Sequence, residues 1–168
     1  MDRSREVEQL AAAWLAGMKA GDAAAVASLF AAGAATTVIG NGADQWFTGD
    51  AYTGKRLAES LAEHGGIPFE PGSPVGWAAG DTGWFADQVT IAFPARTIPL
   101  RMTGVAVRQH GTWRLVQLHV SAAVSDEDLL TGGAAASPPG AAVLPPVRPG
   151  HAVPLPGGER PDCRRWFG

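Results

Sequence analysis

The stretch RQHGTWRLVQLHVS, Arg108 to Ser121, constrains the fold more than any other part of the chain. His110-Gly111 supplies the small, φ-permissive residue that a tight turn needs, and the run after it is rich in Trp, Leu and Val. A β-hairpin is the expectation. Further strand candidates lie upstream, near Val75 to Ala79, Gly83 to Phe93 and Ile98 to Gln109, so Thr112 to Ala122 closes a series of consecutive antiparallel strands.

Before the strands, the periodicity is helical. Val7, Leu10, Ala11, Trp14, Leu15 and Met18 form one apolar stripe, Gly21 offers a left-handed stop, and Asp22 offers an N-cap to a second helix burying Val26, Leu29 and Phe30. Thr36 to Ile39 favours a short strand, whereas GNGADQWFTGD reads as a turn-rich loop carrying two aromatics. Asp50 is expected to cap a third helix running to about His64, with Leu57, Leu61 and Ala62 inward and Gly65-Gly66 ending it. Helices first and strands after give an α+β domain with the sheet curled around the long first helix.

At 168 residues and 46% hydrophobic content, the chain can bury one sizeable core. The expected division is a domain over residues 1–131 and a disordered Pro/Gly/Ala-rich tail over 132–168, where GGAAASPPGAAVLPPVRPG shows no apolar periodicity. The net charge is -3, and the domain's Lys and Arg are scattered singly, which disfavours nucleic acid as a partner. No apolar run approaches a membrane span, and the charged start MDRSREVEQL lacks the apolar segment of a secretory signal. With Cys163 alone, no internal disulfide is expected, and the cytoplasm is the expected location.

Register follows from the turns. With the last turn at His110-Gly111, Trp113, Leu115, Gln117 and His119 fall opposite Gln109, Val107, Val105 and Thr103. A preceding turn near Ala95 to Pro99 puts Phe85, Asp87, Val89 and Ile91 on that same odd-numbered face. Bulky apolar groups mixed with Asp87, Gln117 and His119 suit a ligand pocket, so the odd face is assigned to the interior. The other face, with Trp84, Ala86, Gln88, Met102, Ala106, Val116, Leu118 and Val120, is too apolar for water and is assigned to a second copy. A one-residue error in either turn would exchange the lists.

The terminal hairpin, with its charged residue, Gly, Trp, apolar pair and His-x-Ser ending, resembles the last strands of SnoaL-like domains in the nuclear transport factor 2-like superfamily. Gly21-Asp22, the Trp-containing loop and WFAD at Trp84 to Asp87 extend the resemblance over about Val7 to Leu130. It implies a cone-shaped fold. The superfamily hosts enzymes, binding modules and assembly domains, so it leaves function open. Its isomerases and cyclases use acidic residues in the cone, yet the only tyrosine, Tyr52, lies at a helix start rather than among the pocket tyrosines of the isomerases. The ending also resembles kinase association domains of the superfamily, but Val120 stands where those carry a basic residue.

The candidate catalytic residues are Asp87 and His119, and the candidate ligand-binding residues are Trp14, Trp46, Phe85, Asp87, Gln117 and His119. Asp87 among apolar neighbours would have a raised pKa suited to general acid–base work, or it pairs with an arginine near a sheet end. His119 either moves a proton or satisfies a buried hydrogen bond, and under this register it lies about 16 Å from Asp87, too far for a dyad. Trp14 and Trp46 either wall a pocket or fill the core. The four histidines are dispersed and no nucleophile elbow, phosphate loop or dinucleotide fingerprint occurs, so no metal or cofactor is expected. The leading expectation is a homodimer binding a small, largely apolar molecule. The alternatives are an isomerase, cyclase or hydratase using Asp87, and an assembly module presenting its tail.

Overall fold

The computed structural model describes residues 1–125 except Ala34 and Ala43, so the expected tail over 132–168, and the expected domain end at 131, lie outside the described residues. A two-residue strand, β1 (Asp2–Arg3), precedes helix α1 (Arg5–Ala20). The Ser4 side chain caps α1 by accepting from the Val7 amide, Glu6 and Glu8 occupy its first turn, and Lys19 its last, all favourable to the helix dipole. The predicted apolar stripe is buried throughout, and Gly21 ends the helix at a φ of 70°. Asp22 Oδ1 accepts from the Ala25 amide at 2.9 Å and opens α2 (Ala23–Ser28). Val26 and Phe30 are buried as expected, while Leu29 is only half-buried.

The middle of the chain departs from expectation. GNGADQWFTGD is not all loop: β3 (Trp46–Thr48) pairs antiparallel with β2 (Thr37–Ile39). The third helix begins irregularly, as a 3-10 turn (Gly49–Ala51) and a π-helical turn (Tyr52–Arg56), and only then becomes α3 (Leu57–His64). Asp50 lies inside that first turn and does not cap it, and Ala62 is exposed although Leu57 and Leu61 are buried.

After β4 (Phe69–Glu70) come β5 (Val75–Ala79), β6 (Thr82–Phe93), β7 (Arg96–Gln109) and β8 (Thr112–Ala122), close to the predicted strands. The turn before β7 is tighter than expected, because Phe93 pairs with Arg96 across Pro94-Ala95. His110 and Gly111 take φ values of 49° and 79°, and Gln109 pairs with Thr112 around them. The strands join in the order β1-β5-β6-β7-β8-β2-β3, with β4 beside β6. Among the described strands all pairings are antiparallel except β2 with β8, where Thr37, Val38 and Ile39 run parallel to Gln117, Leu118 and His119, and an isolated parallel bridge joins Phe30 to Leu115. The result is an α+β fold whose large curved mixed sheet is covered on one face by α1.

The register of β8 corrects the assignment of faces. Leu115 pairs with Ala106 and Gln117 with Val105, so Val116 is left between them as a bulge. Trp113 and Leu115 face the core as expected, opposite Arg108 and Ala106 rather than Gln109 and Val107. Beyond the bulge the alternation reverses: Leu118 and Val120 are buried, and Gln117 and His119 pass to the outer face. On β7 the even residues Leu100, Met102 and Ala106 are core. Met102, Ala106, Leu118 and Val120 therefore belong to the interior, and the outer face instead carries Trp77, Trp84, Ala86, Val105, Val107 and Val116, all partly exposed. Across the core face, Val38, Leu118, Gly104 and Phe85 align in one row. Gly104 is required there, since a Cβ would meet the Phe85 ring at 2.5 Å.

The last hairpin is tied to α1 by a shared carboxylate. Glu6 Oε2 accepts from Trp113 Nε1 at 3.0 Å and from Arg108 Nη2 at 3.1 Å, while the Arg108 guanidinium lies 4.5 Å from the Trp113 ring centre. Among the described residues two polar side chains are buried. Thr36 Oγ1 donates to the Ala31 carbonyl at 2.9 Å. Asp87 accepts at Oδ1 from the Gln88 amide at 2.8 Å, but its Oδ2 is buried without a partner. Desolvation raises its pKa, opposed by the backbone N–H groups of Gln88, Ser73 and Gly72.

Two outcomes follow. Leu118→Ala should cost about 3 kcal/mol in denaturant unfolding and its neighbour Gln117→Ala under about 1 kcal/mol, whereas equal losses would refute the bulged register. For Asp87, a carboxyl whose pKa rises on folding favours the folded state when protonated, so its contribution is fully present below about pH 4 and is lost as pH climbs through the raised folded value. Asp87→Asn should therefore raise Tm at pH 7, with the gain vanishing near about pH 3.5. A gain equal at both pH values would contradict a strained carboxylate.

Candidate functional site

Between the core face of the sheet and the helical segment after β3 lies a cavity of about 160 Å³. Its apolar wall has contributions from Trp14 and Met18 on α1, Val38 and Phe47 on β2 and β3, Leu57 on α3, Phe69 on β4, and Ile91, Leu100, Leu118 and Val120 on the long strands. The strand positions follow from pairing. Phe47 pairs with Val38, and Val38 with Leu118, so the short strands extend one inward-facing row beyond β8. Trp14 packs on Phe69 with ring centres 5.4 Å apart, and Tyr52 lies 5.7 Å from both Phe47 and Phe30.

Apart from the Trp14 indole, the polar side chains described in the wall come from two segments. The connection from β2 to β3 supplies Asn41 and Gln45, and the π turn with α3 supplies Tyr52, Arg56 and Ser60. The connection is held compact by Gly40 N donating to the Gln45 carbonyl at 2.8 Å, Gln45 N to the Gly42 carbonyl at 3.0 Å, and Gly42 N to Gln45 Oε1 at 3.1 Å. In the π turn the Leu57 amide reaches back five residues to the Tyr52 carbonyl. That wider turn lets Tyr52, Arg56 and Leu57 all reach the cavity.

Burial pushes the Tyr52 phenol up to about 12, although the neighbouring Trp14 indole N–H pulls the other way. Tyr52 is therefore a neutral hydroxyl at any ordinary pH. Its hydroxyl makes one long contact, to Met18 Sδ at 3.9 Å, and Trp14 Nε1, close to that hydroxyl, meets no acceptor in hydrogen-bond geometry. Both groups can donate a hydrogen bond into the cavity from among apolar side chains. Among the described residues the wall contains no Asp, Glu or His, and no three His, Cys, Asp or Glu side chains cluster as a metal site.

Of the six residues expected to bind a ligand, the structure places Trp14 in the wall. Phe85 is on the core face but fills the space above Gly104, outside the cavity. Asp87 is also on the core-facing side, yet it borders a separate shallow recess with Ser73, Val75, Ala86 and Gln88. Gln117 and His119 are displaced to the outer face by the bulge. His119 pairs with Thr103, next to the row that aligns Asp87, Met102 and Val120. Asp87 and His119 are thus kept apart by the sheet itself, not by a long offset along the strands. Trp46 is 66% exposed and turned outward, because strand alternation lets only one of Trp46 and Phe47 face inward. Phe47, Tyr52 and Arg56 were not anticipated in the wall. For Phe47 the signal was available, since the pair of aromatics before Thr48 is a strand pattern. Tyr52, expected away from any pocket, lines it through the π turn, which has no mark in the sequence.

The fold is similar to that of several solved structures. A nuclear transport factor 2-like (NTF2-like) protein of unknown function from Pseudomonas putida KT2440 matches with a TM-score of 0.63 at 22% identity, covering 73% of this chain and 87% of that one. A candidate dehydratase of the NTF2-like family from Streptomyces avermitilis matches with a TM-score of 0.61 at 18% identity, over 71% of this chain and 95% of that one. A candidate ketosteroid isomerase from Shewanella frigidimarina NCIMB 400 gives 0.57 at 16% identity, over 70% and 96%. At these identities the likeness is one of fold. No curated protein matches the sequence. The family model of the SnoaL-like domain matches residues 7–125, and the chain belongs to that family.

Proposed function

We propose that the protein binds a small, largely apolar molecule in the cavity and works as a homodimer through the outer face of the sheet. The observation that carries the first part is a cavity of about 160 Å³ bounded by Trp14, Met18, Phe47, Phe69, Leu100 and Leu118 in an otherwise packed core. A void of about 150 Å³ with comparable lining accommodates benzene in an engineered protein, so a single-ring molecule sets the scale. Tyr52 and Trp14 add hydrogen-bond donors that would orient one polar substituent. Isomerisation, cyclisation or hydration through Asp87 finds less support, since Asp87 borders another recess and the described residues of the cavity wall include no carboxylate or imidazole to move a proton.

The dimer rests on the outer face. Trp77, Trp84, Val105 and Gln117 form one row across β5 to β8, and Val75, Ala86, Thr103 and His119 form the next. Between β5 and β8 neither row carries a charged side chain, while Arg3, paired with Trp77, and Arg101 lie at the margins, so the centre of the patch can meet a second copy across a two-fold axis without like-charge repulsion. Paired tryptophans beside valine, with Gln117, His119 and Thr103 towards one side, suit an apolar interface centre of about 800 Å² per partner.

Single-ring compounds such as toluene and benzyl alcohol should raise Tm in proportion to the logarithm of their concentration once it exceeds Kd. Val120→Phe, which fills the void from its wall, should abolish the shift while leaving the protein folded. No shift with any such compound would end the binding proposal. Independently, wild-type protein should sediment as a dimer at micromolar concentration and Val105→Asp as a monomer that still binds ring compounds. A monomeric wild type would remove the interface from the outer face.

A further inference from the structure

Among the described residues Arg56 is the one charged residue in the cavity wall, and it is exposed whereas Trp14, Leu57, Phe69, Leu100 and Leu118 are buried. Its neighbour Lys55 is engaged by Glu59 at 3.3 Å, but Arg56 makes no hydrogen bond or ion pair with any described residue. The chain as a whole is acidic, with a net charge of -3, yet among the described residues no carboxylate enters the wall to neutralise this guanidinium. The same wall holds groups that can both donate and accept hydrogen bonds: the Tyr52 and Ser60 hydroxyls and the Asn41 and Gln45 amides. A planar cation with no partner among the described residues, in a wall that also offers hydroxyl and amide donors to an apolar void, is complementary to a carboxylate attached to a ring.

We infer that the ligand is a small ring-bearing carboxylic acid, bound as its anion, with the ring among Trp14, Phe47, Phe69 and Leu118 and the carboxylate on Arg56. This rests on the reading of the cavity as a binding site and assigns the chemical class it takes. The π turn is what makes the pairing possible, because the i to i+5 bond from Leu57 to the Tyr52 carbonyl brings Tyr52, Arg56 and Leu57 to the same wall. Arg56 supplies charge and a two-pronged donor, Tyr52 a neutral hydroxyl, and Leu57 the floor beneath them. A neutral ring of the same size would keep the apolar contacts and forgo the charge-assisted hydrogen bonds.

Titration of the full-length protein with benzoate and with its uncharged isostere benzamide, followed by calorimetry or ligand-observed NMR, tests this directly. Benzoate should bind about tenfold more tightly than benzamide at low salt, the scale of one partly exposed charge-assisted hydrogen-bond pair, and its advantage should shrink as salt is raised. Arg56→Gln should bring the two affinities to within about twofold of each other by weakening benzoate far more than benzamide, and Arg56→Lys should retain part of the preference. Because Arg56 is exposed and has no partner among the described residues, these variants leave the fold intact. Acetate, a carboxylate without a ring, should bind far more weakly than either. Equal binding of benzoate and benzamide by the wild type, or a preference that survives in Arg56→Gln, overturns the carboxylate assignment and leaves the cavity reading standing. Binding of neither compound overturns both.

Discussion

Side chains on a strand alternate, so leaving Val116 unpaired between Leu115 and Gln117 exchanges the two faces for everything that follows it. Before the bulge, Trp113 and Leu115 enter the core; after it, Leu118 and Val120 do. That shift lets a single strand pack against α1 near one end and wall the cavity at the other. It also puts Leu118 in register with Val38, so the row continues through β2 to Phe47 on β3. Without the extra residue, the polar groups of Gln117 and His119 would line the interior and the apolar pair would face outward. The cavity owes its apolar wall to one unpaired valine.

A second constraint fixes the opposite end. Glu6 receives donors from both Trp113 and Arg108, which joins the first turn of α1 to the final hairpin. The helix is thereby held across the sheet, and its other end presents Trp14 and Met18 to the cavity. Arg108 and Glu6 are substantially exposed, so their direct attraction is small; the shared geometry with the indole matters more than the charge.

The parts of the fold legible in the sequence were those with strong local signals. The stripe from Val7 to Met18 gave α1, Gly21-Asp22 gave the break between two helices, and His110-Gly111 gave the last turn. The parts that were not legible depend on partners remote in the chain. Trp46 to Thr48 becomes a strand only because β2 is there to receive it, and β2 is anchored by β8. A bulge has no composition of its own, so Val116 reads as another alternating valine. The candidate site inherited both omissions. Trp14 could be placed from helical periodicity, whereas Phe47, Tyr52 and Arg56 reach the cavity through the unforeseen strand and π turn. Gln117 and His119 were assigned inward by an alternation that the bulge interrupts.

The parallel contact between β2 and β8 bears on the order in which this domain assembles. Thr37 meets Gln117 across most of the domain's sequence, whereas β6, β7 and β8 are joined by two-residue turns. Closing so long a loop is entropically costly and becomes favourable only once β8 already offers a paired edge. The meander and α1 are therefore expected to form first, with the flap of β2, β3 and the π turn docking last and opening most readily. Hydrogen exchange would register that flap as a separate, weaker unit. Since the flap carries Asn41, Gln45, Phe47, Tyr52 and Arg56, the segment that completes the binding wall is also the one whose departure would let a molecule in.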